Sequence, residues 1–371
     1  MKKLLPEVCT IQYGFPFDSA KFSDSDGMPL IRIRDVVRGY SETYTTEEYK
    51  SEYIVHENDL LIGMDGEFNI AKWGKTPALL NQRVCRLAPK DSIDKDYLFY
   101  FMPIALKRIE EKTPFVTVKH LSAKELNKIE IPVLPLEEQR KIAETLSKVD
   151  ELIAFRDQQL AKLDELVKAR FVEMFGESES PRNSLISLII EGAGLSYGIV
   201  QPGDDGTGDM GVLRPVDFAD GKIKTDSIKY IDRSLGDGFK KTELNGNELL
   251  ITVRGTTGIT ALTDSRFKGM NVTRGIAVIR YDKKKVDSIY LNEYIKMEKS
   301  QQYIKEHTRG ATLQQINLSE LRDLEIVIPP LPLQRVFATF VEHVDQQKQT
   351  VQQSLEKLEL MKKALMQEYF G

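Results

Sequence analysis

The stretch Gly192-Ala-Gly-Leu-Ser-Tyr-Gly has the glycine density of a loop that cradles a nucleotide phosphate. Such a loop needs a helix start directly behind it, so that backbone N–H groups and the helix dipole face the anion. Ile199-Val-Gln-Pro-Gly follows instead, which makes a turn that opens a domain. There is no Gly-Lys-Ser/Thr run, and no Asn/Asp-Pro-Pro-aromatic run of the adenine methyltransferase kind: Ile328-Pro-Pro-Leu lacks both the polar and the aromatic end. His56, His120, His307 and His343 are scattered without metal-ligand spacing. Cys9 and Cys85 are too few for a disulfide framework and read as small buried residues of a reducing compartment. The expectation is a chain that does no chemistry itself and holds neither metal nor cofactor.

What the chain does carry is a repeat. Ile131 to Gly176 lies without a gap on Ile326 to Gly371, and from Glu130/Glu325 onward 18 of 47 aligned pairs are identical, where chance gives roughly three. Pro132, Pro135, Pro329, Pro330 and Pro332 punctuate the openings, and Glu137 and Glu138 suit a first helical turn. Ile142, Leu146, Val149, Ile153, Leu160, Leu163, Val167 and Met174 then follow a 3,4 spacing, as do Phe337, Val341, Val344, Val351, Leu355, Leu358, Leu365 and Tyr369. Each is a rod of roughly 58 Å at 1.5 Å per residue, too long to bury its stripe alone.

Charges in the stripes suggest the partner. Arg156 and Arg170 interrupt the first where the second has Val351 and Leu365; Lys348 and Lys362 interrupt the second where the first has Ile153 and Val167. A homodimer of either helix would stack like charges, so the two copies are predicted to pair with each other, antiparallel, along a seam of Leu146, Val149, Leu160, Leu163, Val341, Val344, Leu355 and Leu358. The alternative is two separate helices, each packed on its own domain.

The intervening segments also repeat. Leu30-Ile-Arg-Ile-Arg-Asp matches Val212-Leu-Arg-Pro-Val-Asp, and Arg32/Asp35 and Arg214/Asp217 read as structural pairs. Asn58-Asp-Leu-Leu-Ile-Gly-Met-Asp-Gly matches Asn247-Glu-Leu-Leu-Ile-Thr-Val-Arg-Gly, keeping turn glycines Gly66 and Gly255. Predicted strands are Pro29 to Val36, Asn58 to Met64, Arg83 to Leu87 and Ile129 to Ile131; helices span Tyr97 to Lys112 and Ala123 to Asn127. The framework is duplicated while the polar loops differ. A mixed α/β (α+β) fold follows, with domains 1–130 and 180–323 and long helices in 131–179 and 324–371. Net charge is −4 and no segment strays far from neutrality, so a nucleic-acid surface would be a local patch. No run of eighteen apolar residues occurs, and Pro6 and Glu7 break any signal-peptide core; a soluble, cytoplasmic protein without membrane association is expected.

This organisation resembles the specificity subunit of type I restriction–modification enzymes over essentially the entire chain. The resemblance rests on Leu134-Pro-Leu-Glu-Glu-Gln-Arg-Lys-Ile-Ala and Pro330-Leu-Pro-Leu-Gln-Arg-Val-Phe-Ala, the loops Thr117 to Leu121 and Gly310 to Ile316, and Gly198-Ile-Val-Gln-Pro-Gly. Pro114-Phe115-Val116-Thr117 departs from the more family-like Arg309-Gly310-Ala311-Thr312.

The resemblance implies two target-recognition domains related by a pseudo-twofold, an intramolecular coiled coil that spaces them, and a bipartite double-stranded DNA target. Heads about one helical turn apart, on the order of 34 Å, can address one face of DNA. It further implies two docked methyltransferase subunits, which bring S-adenosylmethionine and methylate a flipped adenine, with restriction subunits as an optional addition. Candidate DNA contacts are Lys72 and Lys75 beside Trp73, Arg83, Lys119 and His120 in the first head, and Arg254, Arg274, Arg309, Gln314 and Gln315 in the second. Arginine can fork onto guanine and glutamine onto adenine, whereas lysine more often meets phosphate. The same side chains could equally be solvated loop charges. An unrecognised DNA-modifying enzyme and a coiled-coil scaffold that reads no DNA are the rival classes.

Overall fold

The computed structural model describes residues 1–112, 119–203, 206, 208–219, 221–310 and 313–371. Contacts divide the chain into two compact units, Met1–Asp157 with Gln353–Gly371, and Gln158–Gln352. In the first, β1 (Cys9–Tyr13), β2 (Leu60–Gly63), β3 (Asn69–Lys72) and β4 (Val84–Pro89) form an antiparallel sheet ordered β1-β4-β2-β3. The unbroken apolar run Leu60-Leu61-Ile62 marks a strand buried on both faces. Leu60 and Ile62 join a core with Leu5, Tyr97 and Phe101 of α1 (Lys95–Lys112), and Leu61 joins another with Ile31, Val36 and Trp73. The long helix α2 (Leu136–Phe175) follows.

The second unit repeats this plan. Strands β5 (Ser196–Tyr197), β6 (Leu249–Thr252), β7 (Thr260–Leu262) and β8 (Ile276–Ile279) are antiparallel in the order β5-β8-β6-β7. Leu249 and Ile251 share a core with Tyr290 and Leu291 of α3 (Ser288–Lys296), while Leu250 faces Leu213, Phe267 and Val272. A flanking parallel pair recurs as well, Leu30–Ile31 beside Leu79–Leu80 and Val212–Leu213 beside Asn271–Val272. The second long helix is α4 (Leu331–Phe370).

One predicted strand ends early. Alternation from Pro29 to Val36 reads as a single strand, yet the strand is Met28–Ile31 and Ile33–Arg38 is helical. The buried Asp35 carboxylate accepts the Arg32 backbone N–H at 2.8 Å and the Ser41 hydroxyl at 3.2 Å, capping a turn in place of a ladder. Asp217 takes the Arg214 N–H at 2.7 Å in the same way. The paired arginines then diverge: the Arg214 guanidinium also donates to Asp217 at 2.9 Å, whereas the Arg32 side chain is exposed.

The long helices, 40 residues each, pair antiparallel within each unit. In the first, Lys362 reaches Asp150 at 2.6 Å and Arg156 Nε donates to Ser354 at 3.2 Å. In the second, Lys348 reaches Asp164 at 2.5 Å, Arg170 lies 5.8 Å from the Phe340 ring, and Phe171 and Phe337 stack edge to face. Charges that interrupt the stripes thus meet carboxylates, a hydroxyl or a ring of the other helix. Leu146, Val149, Leu163, Val341, Val344 and Leu355 are buried, and Leu160 and Leu358 half-buried. At the C-terminal ends Phe175 and Phe370 are buried where the stripe names Met174 and Tyr369. A 3.6-residue helix drifts about 20° per heptad against a 3.5 pattern, which turns the next residue inward.

A buried amide joins each rod to its own domain. Gln139 accepts the Asp94 N–H at 2.8 Å and donates to the Leu134 carbonyl at 2.8 Å; Gln334 accepts the Asp287 N–H at 2.9 Å and donates to the Pro329 carbonyl at 2.7 Å. Asp94 and Asp287 in turn cap the starts of α1 and α3. Tyr97 donates to the Pro132 carbonyl at 2.8 Å and Tyr290 to that of Val327 at 2.7 Å. Burial pushes the Tyr97 phenol to about 12 and raises that of Tyr290, so both stay donors at neutral pH. Gln139→Leu or Gln334→Leu leaves a buried donor and acceptor unmatched, and is expected to cost about 2–5 kcal/mol in urea unfolding. Leu163→Glu or Leu358→Glu is expected to separate the helices and abolish association with partner subunits in size-exclusion chromatography.

Candidate nucleic-acid interface

The central hairpin of each unit ends in a turn that is held by a loop from far along the chain. In the first unit Leu121 N–H donates to the Met64 carbonyl at 2.7 Å and Gly66 N–H to the Lys119 carbonyl at 2.9 Å, which sets Asp65 opposite His120. Gly66, at φ 77°, supplies the left-handed turn residue. His120 Nδ1 lies 2.5 Å from Asp65 Oδ1 and 3.0 Å from Arg83 Nη1, and Arg83 Nε is 3.6 Å from Asp65 Oδ2. Arg83 itself has φ 70°, a conformation costly for a side-chain-bearing residue, and its carbonyl accepts the Met64 N–H at 2.9 Å. Arg83 and His120 remain about half exposed, at 51% and 47%.

The second unit makes the same junction from different side chains. Ile316 N–H donates to the Val253 carbonyl at 3.0 Å and Gly255 N–H to that of Gln314 at 2.8 Å, so Arg254 stands opposite Gln315. Gln315 also pairs with Arg309 in the ladder of Thr308–Arg309 and Gln315–Ile316. Val253 N–H donates to the Gly275 carbonyl at 2.8 Å, which brings Arg274 to the adjoining strand end. Arg309 lies 3.6 Å from Glu320, while Arg254 and Arg274 have no ion pair among the described residues. The structure therefore gathers Arg254, Arg274, Arg309, Gln314 and Gln315 onto adjoining backbone segments.

In the first unit only part of the predicted set converges. Arg83, Lys119 and His120 meet at the turn, although Lys119 Nζ is drawn 3.2 Å from Glu110. Lys72 pairs with Leu60 at the opposite end of the hairpin, 2.9 Å from Asp96 and over the Phe99 ring, and exposed Lys75 lies beyond it. Trp73 is buried and donates its indole N–H to Thr76 at 2.7 Å, so it offers no stacking face. Pro114, Phe115, Val116, Thr117, Ala311 and Thr312 lie outside the described residues. Asp65 escaped the sequence reading; its signal is its place, directly before a duplicated turn glycine and aligned with Arg254.

The turn of residues 192–195 leads into β5 rather than a helix, and no group of three His, Cys, Asp or Glu suited to a metal ion occurs among the described residues. No described helix is long and apolar enough to cross a membrane.

A family model described as type I restriction modification DNA specificity domain matches residues 1–165 and 207–360. The chain belongs to this family. It is 30% identical over 376 residues to the specificity subunit of the Escherichia coli type I restriction enzyme EcoBI, covering 92% of this chain and 78% of the relative. It is 23% identical over 382 residues to the type I restriction enzyme MjaVIII specificity subunit of Methanocaldococcus jannaschii, covering 91% and 87%. The solved S subunit of a type I restriction–modification system from M. genitalium shares the fold, with a TM-score of 0.60 at 14% identity over 100% of this chain and 96% of that one. The chain is thus a specificity subunit, the component of a type I system that concerns DNA target recognition.

For a specificity subunit the turn–loop junctions and the far end of the first hairpin are expected to behave differently. Arg254→Ala or Arg83→Ala in the assembled complex should weaken cognate DNA about tenfold or more and relax preference at one base pair. Lys72→Ala, at the far hairpin end, should leave both unchanged. Fluorescence anisotropy on a panel of single-base variants checks this.

Proposed function

We propose that the chain reads a bipartite double-stranded DNA target, one half per unit, and that Arg83, Lys119 and His120 in the first unit and Arg254, Arg274, Arg309, Gln314 and Gln315 in the second contact it, with Lys72 and Lys75 outside the base-reading set. The observation that carries this reading is the turn–loop junction built twice on one backbone plan with unlike side chains, Asp65/His120 in one unit and Arg254/Gln315 in the other. A protein that reads one target twice would keep the decoration along with the frame. Residues 1–130 and 180–323 are the two target-recognition domains in this proposal, and 131–179 and 324–371 are the spacer helices.

Two methyltransferase subunits dock on the helices in this account, and restriction subunits join where the system includes them. Exposed apolar side chains on the helices, such as Leu152 and Phe155 in the first unit and Leu166, Val172 and Val336 in the second, support a protein-binding role. S-adenosylmethionine belongs to those subunits, which methylate adenine, while this chain is non-catalytic and works in the cytoplasm. A net charge of −4 suits a chain whose partners provide much of the phosphate neutralisation.

Replacing residues 1–130 with the corresponding domain of another family member should change one half of the methylated target and leave the other half as it was. A change in both halves, or in neither, would contradict the proposal. The purified chain alone should transfer no methyl group from S-adenosylmethionine to DNA.

A further inference from the structure

The two turn–loop junctions correspond residue by residue in their backbone hydrogen bonds. Position 65 corresponds to 254, 66 to 255, 119 to 314 and 120 to 315, and each correspondence is fixed by the same pair of backbone hydrogen bonds. Because the frame belongs to the backbone, the apex residue and its cross-bridge partner can change identity without altering how the loop is held. In the first unit they are a carboxylate and an imidazole; in the second, a guanidinium and an amide.

Asp65 has the geometry of an organiser. Its Oδ1 lies 2.5 Å from His120 Nδ1 and its Oδ2 3.6 Å from Arg83 Nε, and its side chain is 21% exposed against about half for its two partners. An ionised carboxylate only accepts hydrogen bonds. A short contact to Nδ1 therefore fixes the tautomer with hydrogen on Nδ1, so that Arg83 Nη1, 3.0 Å from Nδ1 and 3.5 Å from Nε2, has Nε2 as its one acceptor on the neutral ring. The same carboxylate draws the Nε edge of Arg83, a residue already set by its left-handed backbone, and leaves Nη2 without a partner among the described residues.

We propose that residues 65 and 120, and their equivalents 254 and 315, are exchangeable specificity-determining pairs, with Asp65 a positioning residue that orients Arg83 toward guanine and fixes the tautomer of the His120 ring packed against it. In the second unit the apex residue, Arg254, faces DNA directly and Gln315 lies beside it, a donor–acceptor set suited to guanine next to adenine. This rests on the bipartite reading above and goes beyond it, since it names which side chains select bases and assigns Asp65 a role through its neighbours.

The test uses the full chain assembled with its methyltransferase subunits and a library of duplexes randomised one position at a time. Asp65→Asn, nearly isosteric, is expected to shift preference at one or two adjacent positions of a single half-site by about tenfold, with the other half-site unmoved. Asp65→Arg combined with His120→Gln should confer there the preference that the second unit shows at its own corresponding position. Arg254→Asp with Gln315→His is the reciprocal exchange, in a unit with an independent core. A uniform loss of affinity across all sequences, with thermal unfolding unchanged, would mean that the pairs only hold the loop, and would overturn the inference. Unaltered preferences would overturn it too. If replacing residues 1–130 moves one half-site while these variants move none, this inference fails alone; if that replacement moves neither, the bipartite reading has failed first.

Discussion

Gln139 and Gln334 carry the constraint on which the rest of the structure depends. Each is fully buried at the start of a 40-residue helix, and each satisfies the backbone N–H of the aspartate that caps a domain helix. A buried amide with both ends matched has one comfortable position, because any shift leaves a desolvated donor or acceptor. The start of each rod is thereby tied to its own domain at a defined place. The family-like runs around Leu134 to Arg140 and Pro330 to Arg335 make physical sense as this joint: prolines end the strand, and the glutamine that follows locks the helix to the domain.

On that frame the two units differ where a reader must differ. Hairpin, turn glycine, distant loop and helix-capping aspartate recur, and the side chains at the junction do not. The contrast is electrostatic as well as steric. Asp65 binds Arg83 and His120 into a cluster of mixed charge, whereas Arg254 and Arg274 face no carboxylate among the described residues. The helix pairing follows similar logic: Lys348 and Lys362, awkward in a homodimer, each meet an aspartate of the other long helix.

Much of this was legible in the sequence, because duplication turns weak local signals into paired ones. The long helices, the doubly buried strand at Leu60–Ile62 and the glutamine-bearing helix starts all announce themselves twice. What the sequence hid were outcomes of competition. Arg32 to Val36 alternates like a strand, but a buried aspartate offers the backbone a nearer acceptor and a helical turn forms. Trp73 stands beside two lysines of the candidate DNA set, yet its indole fills the core while Lys72 turns to Asp96. Phe175 and Phe370 fall one residue off the stripe because helical phase drifts along a long rod. Asp65 carries no signal of a basic contact in the sequence, and its role emerges only from the convergence of Arg83 and His120 on its carboxylate.

Single-molecule sequencing of methylated adenines in a host carrying the chain with its methyltransferase subunits tests the central claim most directly. The account predicts one recognition sequence made of two short specified runs with a non-specific gap of constant length, one methylated adenine in each run. A single uninterrupted motif, or two runs whose spacing varies from site to site, would contradict it.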